Sequence, residues 1–274
     1  MTVAPLPANV PRTSGRTAPR LTPRQERLLL RTIGVVGFLV VWELAARLHL
    51  YNAILLSSPS AVIGAGFGIM TSGTVWRHLW ASAVELAAGL VISTVVGVAI
   101  GVAAGWSRRV NYVLDPWLTI LNATPIVALV PLLIFLLGID FAAKVFLIVL
   151  FSVFPIALNT LVGVEGTANR YLGVARTYRA SNARILRTVV MPGTLPFILA
   201  GLHIAVGRAL VGLVVAELVA GNEGIGYLLS LYGVTLQTPK LMFLVFVLGL
   251  TGLALSAAVG RVERRLERWR PVRR

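Results

Sequence analysis

Long apolar stretches, separated by short polar or basic segments, dominate the pattern of hydrophobic and polar positions along this chain. A helix needs about 20 mostly apolar residues to cross the hydrocarbon core of a bilayer. Six stretches are long enough, and we predict a spanning helix at roughly 31–50, 82–106, 117–138, 143–163, 197–220 and 240–260. The pattern therefore predicts an all-α integral membrane protein with about six transmembrane helices.

The segments outside these stretches predict the organisation of the rest of the chain. The first 30 residues are rich in proline and arginine, which predicts a disordered basic tail at 1–30. The apolar run at 33–41 also fits a signal peptide, but no small-residue cleavage site follows it. Trp76 and Trp80 predict an external, interfacial segment at 51–81 with short helices. The remaining divisions are a first transmembrane helix at 31–50, a five-helix core at 82–260 and a basic tail at 261–274.

Positive charge is concentrated on one side of the predicted helices. With the N-terminus inside, 20 of the 25 Lys and Arg residues fall in inner segments, namely the tail to residue 31, 106–116, 163–196 and everything after 260. The positive-inside rule therefore predicts cytoplasmic N- and C-termini for a multi-pass protein of the cell membrane. The same distribution accounts for the net charge of +15 without a nucleic-acid partner, because no folded basic domain is present to enter a groove.

The chain lacks the motifs of common catalytic and nucleotide-binding sites. No stretch matches the phosphate-binding pattern G-x-x-x-x-G-K-[ST], so we expect this chain not to hydrolyse ATP. His49, His78 and His203 are far apart, no H-E-x-x-H motif is present, and the sequence contains no cysteine. We therefore predict a chain that is not an enzyme and that binds neither a metal nor a cofactor.

Polar residues and prolines inside the predicted helices are candidates for function. Pro125, Pro131 and Pro155 each remove a backbone hydrogen bond that lipid cannot replace, so protein or water should surround them. Packing of kinked helices would also explain the prolines, and a hydrogen-bonded helix end would explain Glu217. The candidate solute path consists of Asn122, Thr124, Pro125, Asn159 and Glu217.

Several charged residues in or near the predicted helices need a separate explanation. We expect Glu43 and Glu85 to be solvated at the interface, and Lys144, at a helix end, to extend its amine to the interface. Arg208 and Glu217 are nine residues apart, or about 900° of helical rotation, and so lie on opposite faces. Arg208 is therefore expected to be able to face Glu85 on another helix.

The basic segment between the fourth and fifth predicted helices, at 164–196, is the most informative. Small and apolar residues alternate with arginines from Leu172 to Leu186, which predicts one or two short amphipathic helices. Such a helix can dock its apolar side in a groove of another protein. The segment resembles the coupling loop of the membrane subunits of binding-protein-dependent ABC importers, with matching residues at Ala175, Val189, Met191 and Pro192.

Two positions of this segment depart from the family's pattern. Gly173 stands where the family has a glutamate, and Arg179 stands where it has a glycine. Glycine adopts a left-handed turn conformation without strain and arginine does not, so we expect either a different docking geometry or a turn at Asn182. The coupling residues that the resemblance implies are Gly173, Ala175, Arg176, Arg179, Ala180, Ile185, Leu186 and Pro192.

Shorter matches in the family's order extend over roughly 56–270 and resemble the branch that imports nitrate, taurine and alkanesulfonates. One departure is Glu85, at a position where this branch is expected to have a basic residue. The matches include Leu56-Ser-Ser-Pro-Ser-Ala-Val62, Val215-Ala-Glu217 and Gly224-Ile-Gly-Tyr227.

The resemblance implies a core like that of type I ABC importer permeases and the function of a permease subunit. Its solute would be small and anionic, such as a sulfonate, taurine or nitrate. The implied partners are two ATP-binding cassette ATPase subunits that bind ATP and magnesium, an extracytoplasmic solute-binding protein, and a second copy of the chain. An ion-coupled secondary transporter is the alternative, although that class commonly shows repeats and paired midplane charges that are not evident here.

Overall fold

The structure is a computed structural model that describes residues 22–52, 54–177 and 179–267. All regular secondary structure within these ranges is helical, as predicted. The chain divides into two units, residues 1–50 and residues 51–274, and each is described by itself.

The first unit contains the helix α1 (Pro23–Arg47). A capping box starts this helix: the backbone N–H of Gln25 donates to Thr22 Oγ1 at 3.4 Å, and the Gln25 side chain accepts from the backbone N–H of Thr22 at 3.0 Å. A proline at the start of a helix costs no hydrogen bond. Residues 23–30 thus form the first turns of α1, and the prediction of a disordered tail is wrong for them. Residues 1–21 lie outside the described residues.

Glu43 of α1 forms an ion pair with Arg47, one turn further along the helix. The two side chains are 2.9 Å apart, between Glu43 Oε1 and Arg47 Nε. Pairs at this spacing contribute only about 0.3–0.5 kcal/mol. The pair therefore makes a small contribution to helix stability.

The second unit contains a series of helices and one π-helical turn. The turn, Leu186–Val190, continues directly into the helix that follows it. In chain order the helices are α2 (Pro59–Thr71), α3 (Thr74–Trp106), α4 (Arg108–Ala123), α5 (Ile126–Leu137), α6 (Phe141–Thr177), α7 (Asn182–Ile185), α8 (Met191–Ala220), α9 (Ile225–Val234) and α10 (Thr238–Glu267).

The described helices agree with the predicted number of spans. Five stretches are long and apolar enough to cross a membrane: Gln25–Arg47, Thr74–Trp106, Phe141–Ala168, Asn182–Val219 and Thr238–Arg265. The bent pair α4 and α5 makes a sixth if it counts as one span. The external segment predicted at 51–81 contains α2, as expected, but also the first turns of α3, which begins at Thr74 and not at residue 82.

The third predicted span, 117–138, is broken in its middle. Helices α4 and α5 meet at Thr124 and Pro125 with a bend of 100°. Proline cannot donate a backbone hydrogen bond and disfavours the helical conformation of the residue before it, and Thr124 accordingly has a ψ of 132°. The Thr124 hydroxyl donates to the carbonyl oxygen of Ile120 at 2.8 Å, which satisfies one acceptor at the helix end.

Helix α6 lies at the centre of the second unit and packs against both α3 and α8. Glycines of α3 allow the close approach: a Cβ atom at Gly97 would lie 2.9 Å from the Cβ of Ile156. Gly101 and Gly105 meet α6 in the same way, one and two turns further along. Lipid is as apolar as these side chains, so close packing between small residues is what stabilises helix association in a membrane.

Candidate functional site

The segment predicted to be the coupling loop forms a tight turn between α6 and α7. Helix α6 continues to Thr177, and Ser181 caps α7 by accepting the backbone N–H of Arg184 at 3.4 Å. Between the two helices, Arg179 has a φ of 52°, in the left-handed region. The turn is therefore at Arg179, and the expectation of a turn at Asn182 is wrong because Asn182 is the first residue of α7.

Arg179 adopts the conformation for which glycine is best suited. A residue with a Cβ atom pays about 1–2 kcal/mol for it. The helix α6 on one side of Arg179 and the capped helix α7 on the other determine the direction of the backbone, and so impose this conformation on Arg179.

Apolar side chains behind this turn attach it to α3 and α6. Ile185 and Val190 are almost completely buried, and they pack with Val164 of α6 in one cluster. Half-buried Ala180 and Leu186 pack against the same cluster. These apolar residues thus contribute to the chain's own core, which gives the turn a rigid base.

The outer surface of the turn is basic. Arg179, Arg184 and Arg187 are exposed. An open cavity of about 440 Å³ is lined by Arg179, Ala180, Ser181, Arg184, Ile185, Thr188 and Val189. The two guanidinium groups can form charge-assisted hydrogen bonds with a carboxylate, so the cavity suits an acidic side chain of a partner.

The other predicted coupling residues lie in the helices on either side of the turn. Gly173 is exposed on α6, and a Cβ atom there would meet nothing within 4 Å. Pro192 is exposed in the first turn of α8, directly after the π-helical turn. Ala175 and Arg176 belong to α6, but their side chains lie outside the described residues.

The polar residues predicted to line a solute path have hydrogen-bond partners of their own. Arg208 of α8 donates to the side-chain oxygen of Asn122 at 3.2 Å, so the expectation that Arg208 faces Glu85 is wrong. The side-chain amide of Asn159 donates to the carbonyl oxygen of Pro155 at 2.8 Å. Pro125 is exposed at the bend between α4 and α5. The role of these residues in a solute path stays a prediction.

A buried polar cluster joins α3, α6 and α8 at the end of the unit opposite the turn. The Nζ atom of Lys144 lies 2.8 Å from Glu85 Oε1, and the two side chains are only 4% and 3% exposed. The expectations of a solvated Glu85 and an extended Lys144 are wrong, because each charge neutralises the other inside the protein.

Glu217 joins the end of α8 to the start of α9. Its Oε1 atom accepts the hydroxyl of Ser82 at 2.5 Å, and its Oε2 atom accepts the backbone N–H of Gly226 at 2.6 Å. Ser82 Oγ in turn accepts the backbone N–H of Ile225 at 2.8 Å. Gly224, with a φ of 111°, packs directly on the carboxyl group, where a Cβ atom would overlap it. Glu217 is fully buried and serves as a hydrogen-bonded helix end.

Sequence reasoning missed three members of this cluster: His78, Ser82 and Lys144. His78 Nδ1 accepts the backbone N–H of Gly224 at 3.1 Å. The sequence contains one indication of this cluster: opposite charges in apolar helices normally pair with one another, as Glu85 and Lys144 do. The contacts of Ser82 and His78 are with residues at least 135 positions away, and no local pattern indicates them.

Known proteins similar to this chain are transport permeases. SsuC of Escherichia coli, named as an aliphatic sulfonates transport permease protein, is 34% identical over 236 residues, which cover 86% of this chain and 90% of SsuC. The taurine transport system permease protein TauC of the same organism is 32% identical over 251 residues, 90% of each chain. The formylaminopyrimidine transport permease protein ThiX of Halalkalibacterium halodurans is 30% identical over 247 residues, 90% of this chain and 98% of ThiX.

Solved structures with a similar fold belong to ABC transporters. An amino acid ABC transporter with histidines has a TM-score of 0.57 at 17% identity, covering 72% of this chain and 96% of that chain. The methionine ABC transporter MetNI, in an inward-facing conformation, has a TM-score of 0.54 at 18% identity, covering 70% and 94%.

A family model also matches the sequence itself. The model for the binding-protein-dependent transport system inner membrane component matches residues 94–270, which include the last 13 residues of α3 and all of α4 to α10. This match does not favour the ion-coupled alternative. The chain belongs to this family of inner membrane components, the permease subunits of ABC importers.

Proposed function

We propose that this permease imports a small organic sulfonate, and that an ATPase subunit docks on the basic turn around Arg179. The observation that carries the proposal is the turn itself, which presents exposed arginines on a buried apolar base. A rigid attachment to α3 and α6 would let a movement of the ATPase change the packing of the spans. ATP and magnesium would bind to the ATPase, because this chain has no phosphate-binding loop.

The charge at the end of α10 supports a cytoplasmic location for the turn. Helix α10 runs antiparallel to α8, since Gly252 lies against Leu210 while Leu255 and Val259 line a groove with Leu202. Arg261, Arg264 and Arg265 therefore end α10 at the same end of the unit as the turn. Positive residues at one end of a bundle mark its cytoplasmic side, so this end, and the C-terminus with it, would be cytoplasmic.

The proposed assembly contains two copies of the chain, two ATPase subunits and an extracytoplasmic solute-binding protein. The substrate class rests on the names of SsuC and TauC, which refer to aliphatic sulfonates and taurine. ThiX, at 30% identity, is named for a formylaminopyrimidine, so the solute needs a direct test.

Uptake in cells tests the substrate class. The chain would be expressed with the ATPase and binding protein encoded beside its gene, in a bacterium that lacks its own sulfonate importers. We expect growth with an aliphatic sulfonate or taurine as the only sulfur source, and no growth when this chain is omitted. If the strains with and without this chain both grow only when sulfate is supplied, although the complex is assembled and stable, the sulfonate proposal is wrong.

Charge reversal in the turn tests the docking site. We expect Arg184→Glu to reduce co-purification of the ATPase and to abolish uptake, while the amount of inserted chain stays unchanged. Arg108→Glu is the matched control, because Arg108 is also exposed near the inner end of α3 but lies outside the turn. If both variants retain the ATPase and transport normally, the turn is not the docking site.

A further inference from the structure

The buried cluster between α3, α6 and α8 contains two carboxyl groups and one amine. Glu85, Lys144 and Glu217 are each at most 3% exposed as whole residues. With both carboxyl groups ionised, the cluster would carry one negative charge in excess. An uncompensated charge in an apolar interior is costly, and neutralisation by a bound proton is the usual outcome.

The hydrogen bonds of the cluster leave one oxygen atom without a donor. Both oxygens of Glu217 accept hydrogen bonds, and Glu85 Oε1 accepts one from Lys144. Glu85 Oε2 is buried and has no hydrogen-bond partner among the described residues. Ser82, whose hydroxyl donates to Glu217, lies three residues before Glu85 on α3, so Glu85 and Glu217 are neighbours at the same face of that helix. Two carboxylates cannot bond to each other unless one of them carries a proton.

We propose that Glu85 and Glu217 together bind one proton, held between Glu85 Oε2 and the carboxyl group of Glu217. The proton lies on Glu217 and is donated to Glu85 Oε2, which gives this oxygen a hydrogen bond and leaves Glu85 ionised beside Lys144. Lys144 then balances the one negative charge left, so the cluster is neutral. Close carboxyl pairs in proteins share a proton in this way, because two like charges a few ångströms apart cannot both be ionised.

The surroundings of the pair determine how the proton exchanges with solvent. A polar cavity of about 350 Å³ reaches Glu85 and Lys144 from the end of the unit opposite the turn. His78 cannot supply a second positive charge without losing a bond, because its Nδ1 atom accepts the N–H of Gly224. The other titratable or charged groups around the pair are Arg77 of α3, Asp140 before α6, Glu223 between α8 and α9, and Tyr227 of α9, which stacks on His78.

The proton stabilises the connection between α8 and α9. Glu217 accepts the backbone N–H of Gly226, and Ser82 accepts that of Ile225, so the position of the carboxyl group determines where α9 begins. Without the proton, repulsion between Glu85 and Glu217 would pull Glu217 away from these donors. Thermal stability should therefore be highest with the proton bound and fall as the pH rises.

Infrared spectroscopy of the full chain in lipid nanodiscs tests the proposal. At neutral pH we expect a carbonyl band of a protonated carboxyl group that shifts in deuterated water. Glu85→Gln should lose this band and stay folded, because the amide oxygen can accept from Lys144 and the amide nitrogen can donate to Glu217. Glu43→Gln is the control: it removes a carboxyl group of α1 and should keep the band.

Three results would overturn the proposal: no such band in the wild-type chain, a band that survives in Glu85→Gln, or a thermal midpoint that does not change with pH. A water molecule or a metal cation beside Glu85 would give the first result, because both carboxyl groups would then be ionised. The wild-type midpoint needs no variant, and we expect it to fall as the pH rises above about 4.3, the pKa of a free glutamate, until the pair has released its proton. In folded Glu85→Gln the fall should be lost.

Discussion

Lys144 on α6 and Glu85 on α3 form a buried ion pair, with 2.8 Å between Nζ and Oε1, across 59 residues of sequence. Both side chains stand in long apolar helices, where a lone charge at the centre of a span costs about 3 kcal/mol. Ser82, three residues before Glu85 on α3, donates to Glu217 and accepts the backbone N–H of Ile225, so the pair belongs to the same cluster that orders the start of α9. The first prediction concerns this pair.

Lys144→Met should destabilise the chain by about 3–5 kcal/mol, because it leaves a carboxyl group buried without its partner. The measurement is the thermal midpoint of the purified chain in detergent. Arg77→Met is the matched control, since the Arg77–Glu223 pair at the same end has a distance of 3.5 Å and exposed side chains. Such a pair contributes less than about 1 kcal/mol. If the two variants lower the thermal midpoint equally, burial does not make the Lys144–Glu85 pair more stabilising than the exposed pair.

Gly224→Ala should disrupt the connection between α8 and α9. The added Cβ atom would overlap the carboxyl group of Glu217, and Gly224 has a φ of 111°, which side chains rarely adopt. We expect a loss of at least about 2 kcal/mol in stability. Protection from hydrogen exchange should fall first in α9 (Ile225–Val234), and normal protection there would count against this interpretation.

Arg179→Gly should stabilise the turn between α6 and α7 by about 1 kcal/mol, because glycine adopts the left-handed conformation at little cost. Arg179→Val should have the opposite effect, since a β-branched residue is strained there. Thermal midpoints in detergent measure both changes. If Arg179→Gly lowers the midpoint, the contacts of the arginine side chain stabilise the fold by more than the left-handed backbone conformation destabilises it.

Gly101→Leu should separate α3 from α6. A Cβ atom at Gly101 would already overlap Ala157 and Thr160 of α6, and overpacking of a tight interface costs about 1–3 kcal/mol. Gly249→Leu on α10 is the control, because a Cβ atom there meets nothing within 4 Å. Thermal midpoints and the yield of folded chain are the measurements, and a stable Gly101→Leu variant would mean that the helices can move apart freely.

Much of the architecture follows from local sequence, because a span requires a continuous apolar run and a proline acts on its immediate neighbours. The apolar runs predicted about six spans, which agrees with the structure. Pro125 was recognised as an interruption, but the size of the bend was not, since it depends on the packing of α4 and α5 against α8 and α6. Propensity disfavours arginine in a left-handed turn, so the sequence predicts either a different docking geometry or a turn at Asn182, whereas the structure turns at Arg179.

The sequence by itself determined the membrane class, the basic segments, the absence of a phosphate-binding loop and the family resemblance, all of which depend on composition or on residues close together in the chain. Only the tertiary structure decided which charges are buried and with what partners. Lys144 would extend to the interface from an isolated helix, but α3 places Glu85 beside it. Ion pairs and hydrogen bonds between helices depend on distances that packing sets, and neither hydropathy nor helical periodicity contains those distances.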